Sequence, residues 1–154
     1  MCGAHATVRG LLGEIVTSPV DDFDILVDME AGLEHLSRGT GRHVSQFIAV
    51  IEPYFRSMET GRRVAELAAE VGITDVLAVA NKVRNEADRA AVREFCEKHG
   101  LKVVAEVPYD PTLVDAEREG QPPFDYDRTA PAIVAIEGLA DRLMTTGEIE
   151  RSDA

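Results

Sequence analysis

No apolar run in this chain approaches the ~18 residues that a membrane-spanning helix needs, so no transmembrane segment is expected. Basic charge is scarce: sixteen Lys and Arg are scattered among twenty-eight acids, for a net charge of −12. Non-specific binding to nucleic acid or to anionic lipid needs a concentrated basic surface, so both are excluded as expectations. Cysteine is nearly absent. Cys2 and Cys96 are too few for a disulfide framework, which suits a reducing cytoplasm. The opening "MCGAHATVRG" lacks the basic-then-apolar order of a secretory signal. No low-complexity tract interrupts an ordinary globular composition of 45% apolar and 29% charged residues.

What is present is an alternation of element types along 154 residues, enough for one domain with a core. Val8, Leu11, Leu12 and Ile15 recur at helical spacing over 4–16. "FDILVD" (23–28) and "QFIAVIE" (46–52) read as strands, the second stopped by Pro53. Met58, Gly61, Ala65, Ala68 and Val71 mark a helix that Gly72 closes. "DVLAVANK" (75–82) is a third strand and "LKVVAEVP" (101–108) a fourth. Between them residues 86–99 form a helix with Ala87, Ala91, Val92, Phe95 and Cys96 on its apolar stripe, ended by Gly100. A short helix is expected over 112–119. A last one spans 131–144 with Ile133, Ile136, Leu139, Ala140 and Leu143 inward, and 146–154 reads as a frayed tail beyond a single α/β domain at 1–145.

Strands apolar on both faces and separated by helices imply a parallel sheet covered on both sides. Ligands of such sheets sit at the carboxyl ends of the strands, where the polar residues Asp28, Glu52, Asn81, Lys82 and Asp110 fall. Asp28 ends a buried strand, where a carboxylate needs a partner; it would suit Mg²⁺ or cap the loop behind it. Four residues on, Gly32 could present its N–H to a phosphate. Asn81 offers both an acceptor and donors, matching the N6 and N7 edge of adenine, although an Asn in a strand-ending turn is the commoner use. "VPYDP" (107–111), stiffened by Pro108 and Pro111, is a structural turn unless it lies next to Asn81, where a flat base would rest against it. Cys2 with His5 supplies two groups able to ligate zinc, short of a tetrahedral set unless a dimer doubles them. "ETGRRVAE" (59–66) reads as a solvated helix face.

Three of these segments, in this order, resemble a family. "VDMEAGLEHLSRGT" resembles the switch-two segment of the CooC-type accessory ATPases that mature carbon monoxide dehydrogenase by nickel insertion, relatives of the MinD-like and ParA-like ATPases. "ANK" (80–82) is similar to the adenine-reading segment and "VPYDPTLVDAEREGQPPFD" to the proline-rich loop and helix that follow. The resemblance covers residues 2–144 and implies a P-loop NTPase fold and an ATP or ADP site with Mg²⁺. In it Asp28 would hold the metal, Gly32 would sense the terminal phosphate, and Asn81, Lys82, Pro108 and Tyr109 would surround the base. Cys2-Gly3-Ala4-His5 looks like the second half of a Cys-x-Cys motif that binds nickel or zinc across a homodimer interface. The implied partners are a second copy and carbon monoxide dehydrogenase or a related metalloenzyme client, in the cytoplasm, with neither nucleic acid nor membrane.

The departure from the family is equally specific. The glycine-rich phosphate loop, its lysine and switch one have no counterpart in these residues, and phosphoryl transfer depends on such groups. An N-terminally truncated chain lacking the strand–P-loop–helix unit is therefore expected, inactive alone and of marginal stability. In the family that missing strand lies between 23–28 and 46–52, and unpaired buried backbone costs roughly 1–3 kcal/mol per group. The alternative is a nucleotide-free interaction or regulatory module derived from the same scaffold. An iron–sulfur reductase would need a cysteine in 29–45, which has none, and "LMTTGEIERSDA" is too short and acidic for a membrane-targeting helix.

Overall fold

The computed structural model describes residues 25–28 and 46–152, with side chains as far as residue 145. Three strands, β1 (Phe47–Ile51), β2 (Val76–Val83) and β3 (Lys102–Pro108), form a parallel sheet in the order β1-β2-β3. Helix α1 (Phe55–Glu70) connects the first two and α2 (Glu86–Lys98) the second and third. Beyond β3 come α3 (Pro111–Arg118), the four-residue α4 (Pro123–Tyr126) and the long α5 (Pro131–Ser152).

Helices cover both faces, as doubly apolar strands require. On one face Ile51, Ala78, Ala80, Val83, Val92, Cys96 and Leu101 form a buried cluster, with Met58 and Ala65 of α1 against it. On the other, Val79 and Val107 pack with Ala132, Ala135 and Leu139 of α5. Alternate residues of β2 supply the two clusters, the period of two that a strand imposes. Gly61 lies where α1 crosses Ile51; a Cβ there would sit 2.5 Å from Ile51 Cγ2, so the close approach itself requires glycine.

The helix stops are local. After α1, Gly72 takes φ +90° and the Ile73 N–H returns to the Ala68 carbonyl at 2.9 Å. After α2, Gly100 takes φ +69° and the Leu101 N–H bonds the Cys96 carbonyl at 2.9 Å, the same device. Asn85 caps α2 by accepting the Asp88 N–H at 3.0 Å. On α1, Arg62 pairs with Glu59 at 2.6 Å and also with Glu66, but the stretch 59–66 is a solvated face only in part, because Gly61 is buried and Ala65 packs on the core.

Several sequence expectations are corrected. Residues 25–28 carry no strand pairing, and Leu26 is 89% exposed. Apolar β-branched sequence makes a buried strand only when a ladder partner and a covered face are available, and among the described residues neither lies beside 25–28. In α2, Ala87 and Ala91 face solvent, so the buried stripe is narrower and centres on Val92 and Cys96. In α5 the inward face is Ala132, Ile133, Ala135 and Leu139, while Ile136 and Ala140 are exposed. The helix itself is continuous to Ser152, with no proline to interrupt it. The four residues of α4 are too few to show a helical period in the sequence.

Candidate functional site

The carboxyl ends of β1, β2 and β3 bring the polar strand-end residues together. Strand register sets Val83 opposite Pro108, and the Tyr109 N–H donates to the Val83 carbonyl at 2.9 Å. Asn81, two residues before Val83, therefore shares one sheet edge with Pro108 and Tyr109, the juxtaposition on which a base-binding reading depends. Asn81 and Pro108 are half-buried and Tyr109 is exposed, so this edge is open to a ligand.

The edge has a defined internal structure. Lys82 has φ +55°, the left-handed region that a lysine enters at a cost of roughly 1–2 kcal/mol. In that conformation its own N–H donates to Asn81 Oδ1 at 3.0 Å. Its ammonium reaches Glu52 at the end of β1, with Nζ to Oε1 2.8 Å. The hydrogen bond to Glu52, more than the opposing loss of solvent, raises the Lys82 pKa above its ordinary value. Glu52 is anchored in turn: its N–H donates to Ser57 Oγ at 2.9 Å and its carbonyl accepts the Tyr54 N–H at 2.7 Å. On the β3 side the Arg84 guanidinium lies 5.3 Å from the Tyr109 ring centroid, a cation–π distance.

Asp110 serves the scaffold. It is 8% exposed; Oδ1 accepts the Thr112 N–H at 3.0 Å and Oδ2 the Ala132 N–H at 3.1 Å. Burial pushes its pKa up, but the Ala132 and Thr112 hydrogen bonds win and hold it below the usual carboxylate range. One carboxylate thus caps α3 and fixes the start of α5 beside the site.

The other expected site residues are Asp28, Gly32 and Cys2. Asp28 is described and exposed, outside any strand. Gly32 and Cys2 lie outside the described residues. Among the described residues no three His, Cys, Asp or Glu cluster to hold a metal ion, and Cys96 is buried in the core. Glu52 and Arg84 join this edge only in the folded structure, through Lys82 and Tyr109. Glu52 stood only as a strand-end carboxylate, and nothing periodic announces that Arg84 meets Tyr109 across the strands. A groove of about 750 Å³ opens at the opposite, amino-terminal edge, lined among others by Gln46, Asp75, Lys102 and Arg142. Its polar groups face one another: Gln46 bonds Asp75, and Arg142 donates to the Val104 carbonyl at 2.6 Å.

No family model matches the chain. An uncharacterised ATP-binding protein of Methanocaldococcus jannaschii is 37% identical over 123 residues, which is 79% of this chain and 47% of that protein. The carbon monoxide dehydrogenase accessory protein CooC of Rhodospirillum rubrum is 34% identical over 125 residues, 81% of this chain and 46% of CooC. Among solved structures, the MinD cell division protein of Aquifex aeolicus matches with a TM-score of 0.73 at 25% identity, over 92% of this chain and 61% of that one. The septum site-determining protein MinD of Pyrococcus horikoshii, solved with Mg-ADP, matches with a TM-score of 0.71 at 23% identity, a likeness of fold. The chain spans about half the length of the curated relatives it matches.

Proposed function

Because this chain belongs with the CooC- and MinD-like ATP-binding proteins over the segment it shares with them, we propose that it forms the base-binding part of an accessory ATPase resembling the nickel-insertion maturation factor of carbon monoxide dehydrogenase. One observation carries the reading: Asn81 stands beside Pro108 and Tyr109 through the pairing of Val83 with Pro108. In the proposed site the Asn81 amide meets the N6 and N7 edge of adenine, since Oδ1 accepts from the exocyclic amine while Nδ2 donates to N7. Oδ1 already takes the Lys82 N–H, but a carbonyl oxygen has a second lone pair for the base. Pro108 and Tyr109 flank the ring, and the Lys82 stem lies against it.

Mg²⁺ would be held by Asp28, through water as an exposed carboxylate allows, with Gly32 toward the terminal phosphate. Nickel or zinc at Cys2, a homodimer, and a carbon monoxide dehydrogenase or related client extend the same proposal. Hydrolysis needs donors to the phosphates, and the 154 residues contain no glycine-rich phosphate loop with its lysine. Calorimetry with MgATP on this chain is therefore expected to show weak binding or none.

The base contact is tested separately by saturation-transfer NMR with excess ATP. Transfer to the adenine ring protons is expected, and Asn81→Ala should abolish it. Equal transfer in wild type and variant would remove Asn81 from the site. No transfer at all would favour the nucleotide-free regulatory module.

A further inference from the structure

The ion pair between Glu52 and Lys82 joins two strand ends, and on the far side of Lys82 stands the Asn81 amide. Three observations link them: Lys82 Nζ lies 2.8 Å from Glu52 Oε1, the Lys82 backbone is left-handed at φ +55°, and the Lys82 N–H meets Asn81 Oδ1 at 3.0 Å. A lysine adopts that backbone only where its surroundings hold it there. The pairing of β2 with β3 is irregular between Ala80 and Val83, which gives Lys82 room for this conformation, and Asn81 cannot fix it alone, because its side chain follows the backbone that presents the N–H. Glu52 can, because its own backbone is tied through Ser57 Oγ and the Tyr54 N–H.

We propose that Glu52 is a positioning residue that, through Lys82, locks the orientation of the Asn81 amide and so makes the site select 6-aminopurines over 6-oxopurines. The proposal rests on the base-binding reading above and adds to it a determinant of selectivity on another strand. Its logic is the asymmetry of an amide. With the Lys82 N–H aimed at Oδ1, a flip of Asn81 would set the Nδ2 donors against that N–H donor. The remaining lone pair of Oδ1 accepts from a 6-amino group but opposes a 6-oxo group, which is itself an acceptor. Without Glu52, Lys82 can leave the left-handed region, its N–H turns away, and the amide becomes free to present either end. Discrimination is lost by loss of a constraint, with no contact from Glu52 to the base.

The test uses the full chain with two nucleosides, adenosine and inosine, which need no phosphate site, compared by saturation-transfer NMR titration. In wild type a preference for adenosine of about tenfold is expected, the value of one well-made against one opposed hydrogen bond. Glu52→Ala should reduce it to about twofold, while Glu52→Gln, which still accepts from Lys82 Nζ, should keep most of it. Lys82→Met removes the same ion pair from the other side and should match Glu52→Ala, so the test survives if one variant fails to fold. A readout without ligand accompanies these: the Asn81 side-chain amide and the Lys82 N–H resonances should move in Glu52→Ala while distant amides do not. A wild-type preference that persists in both Glu52→Ala and Lys82→Met overturns the positioning role and leaves the base-binding reading standing. Wild-type transfer to neither nucleoside overturns that reading, and the selectivity role with it.

Discussion

The β3 flank of the sheet and the β1 flank carry comparable apolar sequence, "KVVAEVP" and "FIAVI", yet are finished in different ways. Beyond β3 the chain turns at once into buried polar structure, where Asp110 accepts from the first turn of α3 and from the start of α5. Beyond β1 the only side-chain tie to the neighbouring strand end among the described residues is the Glu52–Lys82 ion pair, which is half in solvent. Within β1 itself Ile51 is fully buried while Val50, next to it, is 60% exposed. The β3 flank is thus held by hydrogen bonds inside the protein. The β1 flank is held by packing, deep on the face of Ala49 and Ile51 and shallower on the other, where Ile48 is half-buried and Val50 exposed.

The sharpest way to break that contrast is Asp110→Ala. It removes a helix cap and leaves the buried Ala132 N–H without its acceptor, for an expected loss of about 2–4 kcal/mol. The urea midpoint at neutral pH measures it. Asp110→Asn, which keeps one acceptor oxygen, should lose less. The acid limb offers a second reading. The folded pKa of Asp110 is lowered, so its contribution is complete above the unfolded carboxylate value of about 3.9 and disappears as pH falls through the folded value. Wild type should therefore lose stability below about pH 4 more steeply than Asp110→Ala does. Parallel acid limbs would mean that Asp110 is not the pin.

On the β1 flank the next effect is smaller. Gly61→Ala gains about 1 kcal/mol of helix propensity but drives a methyl to 2.5 Å from Ile51 Cγ2, and overpacking costs about 1–3 kcal/mol. A net loss of about 1 kcal/mol is expected by urea unfolding. In the background of Ile51→Ala, which deletes that Cγ2, the same change should cost nothing or stabilise. An unchanged penalty in the double variant would place the clash elsewhere.

These two flanks also show what was legible in the sequence. β2, β3 and the stops at Gly72 and Gly100 follow from local chemistry: apolar runs of strand length, and glycines where φ must be positive. The shared edge of Asn81, Pro108 and Tyr109 was legible through motif order, because parallel strands place successive carboxyl ends side by side. Asp110 looked like one more strand-end carboxylate; that it caps α3 is local, but its bond to Ala132 spans 22 residues and leaves no pattern. Residues 25–28 show the opposite case. "ILVD" has the composition of a buried strand, but composition does not supply the neighbour that would bury it. The exposed Ile136 and Ala140 of α5 have the same origin, since helical spacing fixes a stripe and tertiary packing chooses which stripe faces in.

The finest test of the contrast is Val50→Thr. Val50 and Ile51 are adjacent, so a β-branched polar substitution at Val50 keeps strand propensity and alters only the face that β1 turns away from Ile51. With Val50 60% exposed, the change should move the urea midpoint by no more than about 0.5 kcal/mol. Ile51→Ala, one residue away, should cost about 2–5 kcal/mol. A loss above about 1 kcal/mol at Val50 would show that this face is covered in solution, by a second copy or by another part of the chain. The two flanks would then differ in what covers them and no longer in whether they are covered.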